Sequence, residues 1–164
     1  MNVVLTGMPA SGKTTVSLLL GGLLNRQVID TDALVVEKHG DISQIFQNYG
    51  EEHFRNLETQ AVKKAALCDN AVISTGGGCV LRRENVEILK NGGKIVYLKT
   101  SLNELINRAG DGETRPLLKG DAVENLKNLY VTRTPVYELA ADFTVETDGV
   151  SPLRVAEIIA ELFK

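Results

Sequence analysis

The sequence predicts a three-layer α/β fold, in which helices cover both faces of a five-stranded parallel sheet. Two observations predict it. Short β-branched runs recur at residues 3–5, 28–29, 71–74, 94–98 and 143–145, and stretches with helical periodicity separate them. In addition, Gly7-Met8-Pro9-Ala10-Ser11-Gly12-Lys13-Thr14 fits the pattern G-x-x-x-x-G-K-[ST] directly between the first apolar run and a helical pattern.

A strand that feeds a glycine-rich turn and then a helix leaves backbone N–H groups pointing inward, where they cradle a polyphosphate at the helix N-terminus. Gly7 and Gly12 supply backbone freedom, and Ala10, Ser11 and Thr15 complete the cradle. Lys13 is placed to meet the terminal phosphates of a bound nucleotide, and the Thr14 hydroxyl is suited to ligate the accompanying Mg2+. The helix that follows spaces Val16, Leu19, Leu20 and Leu23 along one stripe. Gly21 and Gly22 each weaken it by about 1 kcal/mol relative to alanine, so packing must hold its last turn.

Asp30-Thr31-Asp32 follows the second predicted strand. In an extended backbone, residues two apart project to the same side, which turns both carboxylates toward the C-terminal edge of the sheet, where open α/β sheets bind ligands. Such a pair suits a division of labour, one carboxylate near magnesium, directly or through water, and the other near an accepting hydroxyl. Next, Phe54, Leu57 and Ala61 mark the buried stripe of a helix on which Arg55 and Glu58 are i, i+3 neighbours. Spacing alone reads this as a surface pair worth a few tenths of a kcal/mol; the functional alternative has Glu58 orienting the Arg55 fork toward a carboxylate.

The third strand closes on Thr75-Gly76-Gly77-Gly78, whose three glycines let backbone amides approach a ligand with no side chain intervening. Residues 109–120 carry Gly110, Gly112 and Gly120 around Arg115, and read as a mobile lid that excludes water from a phosphoryl-transfer site. Arg115 in that lid could offset charge on the transferring group, while Arg133 is uninformative by spacing. Ser151 as N-cap and Pro152 as first residue open a last helix with Val155, Ile158, Ile159 and Leu162 as its stripe. His39 and His53 read as surface residues, and Cys68 and Cys79 as buried or half-buried thiols.

The length of 164 residues suits one domain spanning 1–164. A net charge of -3, from 18 basic and 21 acidic residues, argues against a nucleic-acid partner. No apolar stretch approaches a membrane span and no basic leader precedes the first strand, which points to a cytoplasmic protein without a membrane partner. No segment reads as a dedicated association surface, so a monomer is expected.

The ordered set of segments resembles the shikimate kinase family, within the nucleoside-monophosphate-kinase-like group of P-loop proteins. The anchors are the P-loop, Asp30-Thr31-Asp32, Gly50 to Glu58, Ser74 to Gly78, Thr114 to Leu118 and Arg133-Thr134-Pro135-Val136-Tyr137, which together run over nearly the whole chain. The resemblance implies a P-loop kinase fold and transfer of the ATP γ-phosphoryl group to the 3-hydroxyl of shikimate. It assigns shikimate to a helical segment at about 32–62, with Asp32, Arg55, the Gly76, Gly77 and Gly78 loop and Arg133 in contact. Lys13 and Arg115 go to the phosphates, Thr14 and Asp30 to magnesium, and Arg108 and Pro152 to adenine. A gluconate kinase, a nucleoside monophosphate kinase or a non-catalytic nucleotide switch would share the P-loop; the missing N-K-x-D signature counts against the switch.

Overall fold

Five strands, β1 (Asn2–Thr6), β2 (Val28–Asp30), β3 (Val72–Ser74), β4 (Gly93–Lys99) and β5 (Phe143–Glu146), pair in parallel in the order β2-β3-β1-β4-β5. The structure is a computed structural model that describes residues 1–109 and 121–164. Because β1 lies between β3 and β4, the connections diverge to either side of it, and this topological switch point opens a crevice at the carboxyl ends of β1 and β3.

Eight helices complete the described chain: α1 (Lys13–Leu24), α2 (Thr31–His39), α3 (Ile42–Tyr49), α4 (Glu51–Ala66), α5 (Arg83–Gly92), α6 (Leu102–Ala109), α7 (Ala122–Ala140) and α8 (Pro152–Glu161). A short 3-10 turn spans Cys79–Leu81. All five residues of β1 are buried, as a central parallel strand covered on both faces requires. Val3 and Leu5 join Leu20, Val155 and Ile159 in the layer of α1 and α8. Val4 and Ile95 face the other way, into the layer built by Val62, Ala65 and Leu89 of α4 and α5. A third cluster seats Tyr97 of β4 against Leu105, Leu126 and Tyr137 of α6 and α7, and a fourth joins α2, α3 and α4 through Val35, Ile45 and Phe54.

Two predicted stripes are shifted. On α1 the fully buried positions are Val16, Ser17, Leu20 and Gly21, while Leu23 faces outward. Gly21 is there for space: a β-carbon on it would lie 2.3 Å from Val28 Cγ2, so only glycine lets β2 approach α1. On α8, Val155, Ala156, Ile159 and Ala160 are buried and Leu162 is the exposed C-cap. The start of α8 is as expected, with the Ser151 side chain accepting from Arg154 N–H and Pro152 first in the helix. His39 and His53 are exposed, Cys68 is half-buried and Cys79 buried. Among the described residues no helix is long and apolar enough to cross a membrane.

Candidate active site

The loop after β1 turns sharply enough to need unusual backbone at three places, with φ of 151° at Gly7, 68° at Ala10 and 90° at Gly12. At Gly7 a β-carbon would meet the Leu98 carbonyl at 2.8 Å, so this position admits no side chain. Gly12 is the N-cap of α1 and offers no capping side chain, which leaves the first-turn N–H groups facing the crevice. The Lys13 ammonium arches back over the loop, donating to the Gly7 and Met8 carbonyls at 2.9 Å each. Helix terminus and ammonium together make this end of the crevice a site for a polyanion.

The crevice has a volume of about 790 Å³. Its walls carry Pro9, Ala10, Gly12, Lys13, Thr14 and Thr15 of the phosphate loop and the start of α1, together with Asp30, Asp32, Arg55, Gly76, Gly77, Gly78 and Arg133, and Pro9 meets Gly77 where the two sets join. Gly7 and Ser11 are buried beneath the loop. Arg108 lies at its outer side, with Nη1 3.5 Å from the Ala10 carbonyl and Nε donating to Glu104 at 2.9 Å. Pro152 is exposed at the start of α8, and neither it nor Arg108 lines the crevice. Arg115 and all of the expected lid except Ala109 lie outside the described residues.

The acidic pair arises differently from the extended-strand argument. Asp30 ends β2 and caps α2, its Oδ1 accepting from Ala33 N–H at 3.0 Å, so Asp32 already sits in the first helical turn. Both still line the crevice. Asp30 and Thr14 both line the crevice and offer the hard oxygen donors that suit a magnesium ion held mainly by nucleotide oxygens and water; among the described residues there is no cluster of three or more His, Cys, Asp or Glu suited to a metal.

Arg55 and Glu58 are buried, contrary to what their spacing alone indicates. They are 7% and 1% exposed, and Arg55 Nη1 donates to Glu58 at 2.8 Å. Glu51, one turn earlier, accepts from Nη2 at 3.2 Å. Burial opposes charge on Arg55, but the Glu58 and Glu51 carboxylates outweigh it and hold the guanidinium's pKa above its ordinary value. Burial likewise pushes Glu58 upward, against the pull of Arg55, Arg133 and Arg82. The two shifts favour opposite states of one ion pair; the charged pair is the one the geometry supports, since arginine does not deprotonate in proteins and the contact is close.

The three glycines seat these side chains. A β-carbon on Gly76 would lie 2.6 Å from Asp32 Oδ1, one on Gly77 3.2 Å from Arg133 Nη1, and one on Gly78 2.3 Å from Arg55 Nη2. Each glycine therefore makes room for a different charged group, a function that reading them as exposed backbone amides did not include. Arg133 is 4% exposed, and its Nη1 and Asp32 Oδ1 are buried without a hydrogen-bond partner among the described residues. An unpaired buried polar atom costs roughly 1–3 kcal/mol, so two of them lining one crevice mark a place built to receive polar atoms of a ligand. Burial, then Glu58 and Asp30, push Asp32 from 3.8 up to about 6, against Lys13 and Arg55.

Sequence reasoning left out the wall formed by Ile42, Ser43, Phe46 and Gln47 of α3. Their i, i+4 spacing was the available signal, but an amphipathic turn looks the same when it faces core or cleft. Tyr137 was also missed as a contact of the glycine loop; its hydroxyl donates to the Gly77 carbonyl at 2.6 Å.

A family model described as shikimate kinase matches residues 9–164. The shikimate kinase of Caldicellulosiruptor bescii is 41% identical over 163 residues, covering 98% of this chain and 94% of that protein. Among solved structures, the shikimate kinase from Acinetobacter baumannii in complex with shikimate superposes with a TM-score of 0.93 at 34% identity, covering 99% of this chain and 92% of that one. A gluconokinase from Sinorhizobium meliloti, at 18% identity and a TM-score of 0.67 over 99% of this chain and 94% of its own, is similar in fold alone.

Proposed function

This chain belongs to the shikimate kinase family and is an ATP-dependent kinase of shikimate, and we propose that it transfers the γ-phosphoryl group to the 3-hydroxyl through the residues of the shared crevice. The observation that carries this reading is that one cavity is lined both by the uncapped N-terminus of α1 with Lys13 and by two buried arginines. A compact hydroxy acid held by those arginines would present its alcohol to a triphosphate held by the loop.

In this reading Arg55 and Arg133 grip the carboxylate, Arg55 aimed by Glu58 and Glu51. Gly76, Gly77 and Gly78 keep the seats of Asp32, Arg133 and Arg55 clear. Asp32 accepts hydrogen bonds from ring hydroxyls and takes the proton of the attacking one as oxygen bonds to γ-phosphorus and ADP leaves. A carboxyl pushed up to about 6 is ionised at neutral pH yet more basic than an ordinary aspartate, which suits that role. A loose transition state asks little of a base, so most of the rate comes from positioning and electrostatics.

Gly7, Ala10, Ser11, Gly12, Lys13, Thr14 and Thr15 hold the phosphates, and Thr14 and Asp30 would hold magnesium, which neutralises phosphate charge when bound. Arg115 adds positive charge at the transferring group. Arg108 and Pro152 flank adenine; the position of Arg108 beside Ala10 supports its part. The protein acts as a monomer in the cytoplasm. Phosphorus NMR of the product tests the regiochemistry: a phosphate monoester coupled to the ring proton at C3 is expected, and coupling to any other ring carbon would contradict it.

A further inference from the structure

Tyr137 stands one helical turn after Arg133 on the same face of α7, and both meet the same glycine. Its hydroxyl donates to the Gly77 carbonyl at 2.6 Å, while Arg133 Nη1 lies 3.2 Å from where a Gly77 β-carbon would stand. Between them in sequence is Pro135, inside the helix. Proline has no N–H to give the Val131 carbonyl, so the ladder is weakened in the turn that presents Arg133, and that turn depends on side-chain anchors.

The Tyr137 ring is fully buried and stacks on Tyr97 of β4, with centroids 5.2 Å apart and planes at 28°. Packing of the ring explains an aromatic residue here but not its hydroxyl, since phenylalanine would fill the same space. Burial pushes the phenol well above its ordinary pKa, against the Arg133 guanidinium, so the group remains a neutral donor. Arg133 Nη1 itself has no hydrogen-bond partner among the described residues, and its position is set by the groups packed around it.

We propose that Tyr137 is a positioning residue for the acceptor half of the site, its bond to Gly77 holding the Arg133 turn of α7 in register with the glycine loop. The inference rests on the reading of that half as the shikimate site. The hydroxyl fixes the separation between a loop that seats the acceptor and a helix that carries one of its cations, and Tyr137 itself does not line the crevice.

Tyr137→Phe keeps ring and stacking and removes the hydroxyl, with its bond to the Gly77 carbonyl and its interaction with the Arg133 guanidinium. Steady-state kinetics with each substrate varied should show the shikimate KM raised about three- to tenfold, the loss expected for one neutral hydrogen bond, with the ATP KM unchanged within about twofold. Combined with Arg133→Lys, its effect on the shikimate KM should fall below the product of the two single effects, because both act on one contact. An unchanged shikimate KM, an equal rise in both KM values, or strict multiplicativity with Arg133→Lys would overturn the proposal. Were the unsubstituted protein inactive on shikimate, the functional reading would fail first and this inference with it.

Discussion

Arg55 occupies the space that a side chain on Gly78 would need: a β-carbon there would lie 2.3 Å from Nη2 and 2.4 Å from Nη1. The glycine and the arginine are thus one device, contributed by the end of β3 and by α4. Gly78→Ala should displace the guanidinium from Glu58 and misdirect it, raising the shikimate KM at least about tenfold, while thermal melting shows the fold intact and the ATP KM is little changed. An alanine variant with normal shikimate kinetics would show that the seat is not needed.

Arg133→Ala removes the second cation from an enclosed acid. Losing one partner of such a pair typically costs about 2 to 5 kcal/mol, roughly 30-fold to several-thousand-fold in affinity. The shikimate KM should rise by that order with ATP binding nearly intact, as read by calorimetric titration of each compound. Undiminished shikimate affinity in a folded variant contradicts the assignment.

Asp32→Asn keeps the shape and removes the charge and proton acceptor. Turnover should fall much more than ATP affinity, since the work of Asp32 lies at the acceptor. Parallel losses in turnover and nucleotide binding would assign Asp32 to the phosphates instead.

The same substitution has a pH signature in stability. The folded protein holds the Asp32 proton up to about 6 whereas the ordinary value is 3.8, so the folded state binds more protons between those values and its stability falls as pH rises through them. The contribution is fully present below about pH 4 and lost above about pH 6, an effect of at most about 3 kcal/mol for two units. Asp32→Asn should therefore melt several degrees higher than the parent at pH 8 and near it at pH 4. Glu58, pushed the same way by burial, is relieved of Asp32's repulsion in the variant, which adds to the gain at pH 8 in the same direction. A variant no more stable than the parent at pH 8 would deny the strain.

Much of the architecture was legible because local signals agreed with tertiary ones. The P-loop string carried its own strand and helix, the five apolar runs became the five strands, and Ser151-Pro152 opened α8 as caps do. The strand order was not legible, because pairing partners leave no trace in a single strand's composition. Arg55 and Glu58 were opaque for a related reason: i, i+3 spacing is identical on a wet face and a buried one, and only the resemblance gave Arg55 and Arg133 roles. Asp30 and Asp32 were correctly sent to the crevice by a faulty route, since the chain turns helical at Thr31. Gly21 looked like a weakness in α1 because its neighbour Val28 arrives from another element.

ADP release from magnesium-ATP with shikimate, gluconate, CMP or no acceptor in parallel reads acceptor selection by the crevice itself. Release with shikimate alone is the predicted result. Comparable release with gluconate or CMP, or release indifferent to any acceptor, would contradict a site in which two buried arginines select a compact hydroxy acid.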